Sequence, residues 1–184
     1  NGTVHVYEYR DGAVLLERLN PGTSLSDLAL NGRDEEATEI VAEVIQRMSC
    51  STMPAENFPT VHDWGKGFQR YLDCGDTQIS AELVREAQAT YSQLCESQKA
   101  QRLLHGDLQH YNVLFDHHRG WTAIDPKGVV GEVEFEIGAA LRNPNEKPEL
   151  FTSPDGFVTP VARAIASAAL KDTVHTGINS NPCR

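Results

Sequence analysis

The spacing of apolar positions changes twice along this chain, and each regime predicts a different kind of element. Thr3 to Tyr9, TVHVYEY, is rich in β-formers, with Val4 and Val6 on one face. Asp11-Gly12 favours a turn, and Ala13 to Leu19, AVLLERL, supplies a second strand, so the start reads as a hairpin. Asn20-Pro21-Gly22 breaks the chain, because proline cannot donate to a ladder. The period then lengthens. SLSDLAL predicts a short helix ending near Gly32. Ala37, Ile40, Val41, Val44, Ile45 and Met48 recur at helical spacing, behind an acidic start at Asp34, Glu35 and Glu36. VHDWGKGFQRYLD predicts a further helix, weakened by Gly65 and Gly67. Ser80 can cap another that carries Leu83, Val84, Ala87, Tyr91, Leu94 and Cys95 on one side.

Beyond Ala100 the apolar runs become short. RLL and NVLF flank a polar loop, DHHRG is a turn, and WTAID is a short strand, so a small hairpin spans Asn112 to Asp125. PKGVVGE reads as a loop, EVEFEIGAALRNP as a helix stopped by Pro144, and TPVARAIASAAL as a last helical piece. The tail from Lys171 to Arg184 has no apolar period and reads as irregular.

Composition narrows the class. The chain has 184 residues, 40% of them hydrophobic, enough for one domain with a core. No apolar run approaches the roughly 18 residues of a membrane span, and no signal segment opens the chain. The expectation is a cytoplasmic protein without membrane contact. Cys50, Cys74, Cys95 and Cys183 are scattered and form no CxxC pair, which favours reduced thiols over a zinc ribbon. A net charge of −10 argues against nucleic acid as a partner and suits a cationic small molecule.

The chemistry concentrates in LLHGDLQHYNVLFD, Leu103 to Asp116. Its side chains admit a metal cluster of His105, Asp107, His110, Asp116, His117 and His118. Against that, His105 and Asp107 lack the i, i+4 helical spacing of HExxH, and His117-His118 fall in a charged turn. Phosphoryl transfer fits the spacing better. It needs a carboxylate that orients and deprotonates a hydroxyl, and hard oxygen ligands for Mg²⁺. Here Asn112 follows Asp107 by five residues, and Asp125 ends a strand 18 residues after Asp107. The hairpin between them can bring Asn112 and Asp125 together, as in a kinase catalytic loop.

LLHGDLQHYNVLF together with AIDPKGVVGE resembles the aminoglycoside phosphotransferase family, and within it the streptomycin phosphotransferase and hydroxyurea-resistance kinase branch. AVLLERLNPGTSL is similar to that branch's hinge, and EIGAALRNP to the helix after its metal aspartate. The resemblance runs from about Ala13 to Pro144 and implies an α+β, protein-kinase-like fold: the helical C-terminal lobe plus the last hairpin of the N-terminal lobe. Residues 1–19 would end the N-terminal lobe and form the hinge, 20–170 the C-terminal catalytic lobe, and 171–184 an irregular tail.

It further implies ATP and Mg²⁺ as cofactors and O-phosphorylation of an aminoglycoside-type hydroxyl. Asp107 would be the catalytic base, Asn112 and Asp125 the metal ligands, and His105 a support beneath the loop. The backbone at Glu17, Arg18 and Leu19 would meet adenine, with Leu114 either in the adenine floor or in plain core. Glu132, Glu134 and Glu136 either face a cationic substrate or serve as cap and solvated acids, and Lys127 either neutralises phosphate or pairs with an acid. Gln109 stands where the family often has histidine. The chain begins at Asn1 without methionine and without the glycine-rich cover and strand lysine of an intact kinase, so it reads as a fragment. A binding-only or inactive kinase-like piece, or a kinase of another metabolite such as hydroxyurea, is the alternative.

Overall fold

The structure is a computed structural model, and it describes residues 2–48, 58–147 and 150. Strands β1 (Val6–Arg10) and β2 (Ala13–Leu16) pair antiparallel around the Asp11-Gly12 turn, where Gly12 takes φ 78°. The expected strand face of Val4 with Val6 is corrected. Val4 is buried and donates its N–H to Ala123 O at 2.9 Å, whereas Val6 stands exposed in the hairpin. The first residues run parallel to a later strand instead of extending β1, with Thr3 bridging Ala123.

The expected break at Asn20-Pro21-Gly22 is also corrected, because a strand begins there. β3 (Pro21–Ser24) pairs antiparallel with β5 (Val113–Asp116), which pairs with β6 (Gly120–Ala123). Pro21 is tolerated as the first residue of an edge strand. Asp116 closes this junction: its carboxylate accepts the N–H of Asn20 at 2.8 Å, His118 at 2.9 Å and Arg119 at 3.0 Å.

Helix α1 (Ser26–Leu30) leads into α2 (Asp34–Met48), whose apolar stripe matches the expected one. Ala37, Ile40, Val41, Val44 and Ile45 are buried against Leu25, Ala29, Leu108, Val113 and Ala123. Thr60 caps α3 (Val61–Asp73) in a reciprocal capping box with Asp63. The two glycines do not break α3. A Cβ on Gly65 would lie 2.8 Å from the Tyr91 ring, so this glycine lets α4 (Ala81–Glu96) approach closely. Tyr91 Oη donates to Val61 O at 2.6 Å across the same crossing. Ser80 caps α4 as expected, but Leu83 and Leu94 are exposed, so the apolar side of α4 is only partly covered.

The segment read as a loop after Pro126 contains a strand. β7 (Val129–Gly131) pairs antiparallel with β4 (Arg102–Leu104), and Val61, Leu104 and Val129 form a second apolar cluster with Trp64, Cys95 and Phe135 around it. The single helix expected from Glu132 to Pro144 is a 3-10 turn, Val133–Glu136, followed by a short α5 (Ile137–Ala140). The helical piece expected at Thr159–Leu170 and the tail lie outside the described residues, as do Cys50 and Cys183. Cys74 and Cys95 are free thiols. Among the described residues, no helix is long and apolar enough to cross a membrane.

Candidate active site

The loop joining β4 to β5 is built from its ends inward. Leu108 is fully buried among α2, β5 and β6 residues and pins the loop's middle to the core. A leucine so placed typically costs about 2–5 kcal/mol on truncation to alanine. His110 is also buried, and burial pushes its imidazole down to about 4, so it is neutral at ordinary pH. Gly106 has φ 83°, and a Cβ there would lie 2.9 Å from both Trp64 and Val129. Glycine therefore serves here on two counts, backbone sign and space.

His105 clasps the loop to the far strand. Its ring Nε2 lies 2.8 Å from Ile124 O, and its Nδ1 accepts the N–H of Asp107 at 3.2 Å. Those partners assign the neutral tautomer with the proton on Nε2. Burial lowers its pKa, in keeping with that state, against the raising effect of Ile124 O and the two carboxylates Asp107 and Asp125. The carbonyl of His105 also accepts Lys127 N–H at 2.8 Å. Asp107 and the segment after β6 are thus held by one residue.

Asn112 lies across the hairpin from Ile124, whose N–H it binds through its own carbonyl at 2.9 Å. Its side-chain amide donates to Asp107 O at 2.9 Å and approaches Asp107 Oδ2 at 3.4 Å. That fixes the amide with its oxygen free of these bonds. Asp125 is, among the described residues, the one non-glycine position with positive φ, at 57°. A left-handed aspartate is tolerable but costs energy, and such positions cluster at functional sites. Its carboxylate is exposed and pairs with Lys127 Nζ at 2.6 Å. Asp125 chiefly, and Asp107 in addition, raise the pKa of that ammonium. Arg142 reaches Asp107 Oδ1 at 3.4 Å.

A carboxamide oxygen and an accessible carboxylate at one end of a hairpin are hard donors, which fits Mg²⁺ rather than zinc. Among the described residues no group of three or more His, Cys, Asp or Glu could hold a metal ion. The histidine cluster is dispersed: His105 is spent on Ile124, His110 is in the core, and Asp116 faces Asn20.

The matching family is the aminoglycoside/hydroxyurea antibiotic resistance kinases, over residues 1–174. The chain belongs to that family. It is 30% identical over 146 residues to streptomycin 3''-kinase of Klebsiella pneumoniae, covering 78% of this chain and 52% of that protein. It is 33% identical over 141 residues to hydroxyurea phosphotransferase of Kitasatospora aureofaciens, covering 72% and 39%. The chain spans about half the length, or less, of these relatives. Its fold is protein-kinase-like: it resembles an aminoglycoside-3'-phosphotransferase of type VIII, with TM-score 0.58 at 15% identity over 98% of this chain and 69% of that one. Choline kinase LicA of Streptococcus pneumoniae matches with TM-score 0.55 at 15% identity over 98% and 69%.

The other residues named from the family pattern are spread around this centre. Glu17 pairs with Arg119 and accepts His5 N–H at 3.0 Å, Arg18 is exposed, and Leu19 is buried. Leu114 is half-buried on β5, opposite Ser24 and Thr122. Gln109 turns its Oε1 to Tyr111 N–H at 2.9 Å, capping the 3-10 turn His110–Asn112. Glu132 accepts Lys99 N–H at 3.2 Å, Glu134 is exposed, and Glu136 is buried. Glu136 is the residue whose place the sequence pattern missed. It lies directly under the loop, accepting the N–H of His105 and, at 3.1 Å, of Gly106.

Proposed function

We propose that this chain carries the catalytic part of an ATP-dependent O-phosphotransferase acting on a hydroxyl of a cationic, aminoglycoside-type small molecule such as streptomycin. The observation that carries the reading is the joint placement of Asp107, Asn112 and Asp125 through His105 and the β5–β6 hairpin. Asp107 orients the hydroxyl and takes its proton as the substrate oxygen bonds to the γ-phosphorus and the bond to ADP breaks. Asn112 Oδ1 and the Asp125 carboxylate would hold Mg²⁺, which when bound would supply charge neutralisation to the phosphates. Lys127 sits beside Asp125, positioned to share that role. In this reading residues 1–19 act as hinge and lobe end, residues 20–170 as catalytic lobe and 171–184 as tail, and the backbone of Glu17, Arg18 and Leu19, with Leu114, would hold adenine. Glu134 is free to meet a cationic substrate, whereas Glu132 would first release Lys99.

The test is Asp107→Ala in the protein carrying this chain, assayed by ADP release with streptomycin and, separately, hydroxyurea. Loss of about 10²–10⁴-fold in turnover is expected, with Mg-ATP binding by calorimetry retained. Unchanged turnover overturns the assignment. Turnover with hydroxyurea but not streptomycin would replace the substrate class, a possibility the hydroxyurea phosphotransferase relative favours.

A further inference from the structure

All residues of β1 and β2 are exposed, so this ribbon has no buried face of its own to fix its direction. Its direction is set where the chain enters and leaves it. The entering pass, Gly2 to His5, lies along β6: Ala123 N–H donates to Gly2 O at 2.8 Å, and Val4 N–H to Ala123 O at 2.9 Å. The leaving pass, Glu17 to Asn20, ends on the β5–β6 turn, where His117 N–H donates to Asn20 O at 2.9 Å. The charged turn DHHRG is therefore a seat for both passes. Within it His117 and His118 are exposed, whereas Arg119 is half-buried. Arg119 ties the two passes together. Its Nη1 donates to Glu17 Oε2 and its Nη2 to Thr3 O at 2.9 Å, partners 102 and 116 residues earlier in the chain. Glu17 Oε2 also accepts His5 N–H at 3.0 Å, and Glu17 N–H donates to His5 O at 2.9 Å. An exposed ion pair contributes little, but here the two side chains are only 26% and 20% exposed and one guanidinium fork serves two acceptors. Directly after Arg119 begins β6, which leads through Ala123 and Ile124 to Asp125. An open cleft of about 430 Å³ flanks the pair beside Tyr7 and Val6, leaving the ribbon room to tilt once the pair is broken.

We propose that Arg119 is a positioning residue for the hinge: by holding Glu17 and Thr3 together on the β5–β6 turn, its guanidinium fixes the direction of the backbone at residues 17–19 relative to Asp125. The catalytic consequence rests on the phosphotransfer reading, in which that backbone would hold adenine and Asp125 the metal; the structural part stands without it. Methionine is the informative replacement, because it keeps an apolar stem and removes every donor. Lysine keeps the charge but lacks the planar fork that serves Glu17 and Thr3 at once. Glu17→Gln approaches the same contact from the other side, keeping an acceptor for His5 N–H while losing the charge.

The experiment has two arms, on the protein carrying this chain. Amide hydrogen exchange, read residue by residue, should show Val4 and Glu17 exchanging about tenfold faster in Arg119→Met, with the Val41 and Val44 amides of α2 unchanged. In the phosphotransfer assay KM for ATP should rise about tenfold while kcat stays within about threefold, because the hinge is displaced and Asp107 is not. Arg119→Lys should recover part of the KM. The double variant Arg119→Met with Glu17→Gln should be no worse than the worse single, since both remove one contact. Arg10→Met, which breaks the exposed pair with Glu8 on the ribbon surface, is the control for loss of a nearby charge and should leave KM unaltered. Unchanged exchange at Val4 and Glu17, an unchanged KM for ATP in Arg119→Met, additive effects in the double variant, or an equal rise in KM in Arg10→Met overturns the proposal. If the parent protein binds no Mg-ATP by calorimetry while the exchange change is seen, the functional reading fails and the Arg119 brace is upheld.

Discussion

Three glycines separate backbone sign from crowding and allow the Gly106 geometry to be tested by stability. Gly120 has φ 69° and open space where a Cβ would stand. Alanine there meets the left-handed penalty only, roughly 1–2 kcal/mol. Gly131 lies outside the left-handed region, but its Cβ would stand 2.5 Å from Val61 Cγ1 and 3.3 Å from Leu104 Cδ1. Alanine there overpacks, at about 1–3 kcal/mol. Gly106 combines the two, with φ 83° and 2.9 Å contacts to Trp64 and Val129, both anchored in the second apolar cluster. Its alanine variant should therefore lose about 2–5 kcal/mol, near the sum of the other two. The gain from a stiffer unfolded chain is common to all three and cancels in the comparison. In urea, with a slope near 2 kcal/mol/M, Gly106→Ala should unfold about 0.5–1.5 M below Gly120→Ala. A Gly106→Ala midpoint at or above that of Gly120→Ala would refute the close packing beneath the loop.

Two further outcomes concern pH. Burial is the main cause that raises Glu136 from 4.5 to about 7, against the pull of its peptide donors. The folded protein then binds this proton more tightly than the unfolded chain. Its contribution is full below pH 4.5 and declines as pH rises to about 7, by roughly 3 kcal/mol. The difference in unfolding free energy between parent and Glu136→Gln, followed by urea titration from pH 4.5 to 8, should carry that slope; a flat difference would contradict the burial. Asp116 behaves oppositely, held below its ordinary 3.8 first by Asn20 N–H and then by His118 N–H. Its contribution is present above pH 3.8 and lost as pH falls through the lower folded value. Asp116→Asn should flatten acid unfolding below pH 4, and an unaltered acid limb would count against the Asn20 bond.

The layout of the candidate loop was legible because its residues are close in sequence and the proposed roles need particular side chains. Asp107 and Asn112 share one loop, and Asp125 follows two residues beyond β6 instead of ending the strand as expected, so local spacing goes far to set their placement. β3 and β7 were not legible. Each is three or four residues long, one begins with Pro21-Gly22 and the other is Val-Val-Gly, and both exist through partners far along the chain. Glu132, Glu134 and Glu136 alternate in a way that suggests one shared face. The 3-10 turn sends them apart, to Lys99, to solvent and to the loop's underside. The available sign was that Glu136 is the acid directly joined to the apolar run Ile137–Ala140.

The β1–β2 hairpin presents Val6, Tyr7, Tyr9, Val14, Leu15 and Leu16 to solvent, each more than 40% exposed. A two-stranded ribbon with little burial is marginal in water. Its opening should cost far less than global unfolding, since Val4 and Leu19 hold its base while the ribbon itself contributes little buried area. A protease would therefore nick the chain between Val6 and Leu16 while the core around α2 stays intact. In a crowded solution the same open edges invite strand addition by other molecules, making this ribbon the chain's first point of self-association.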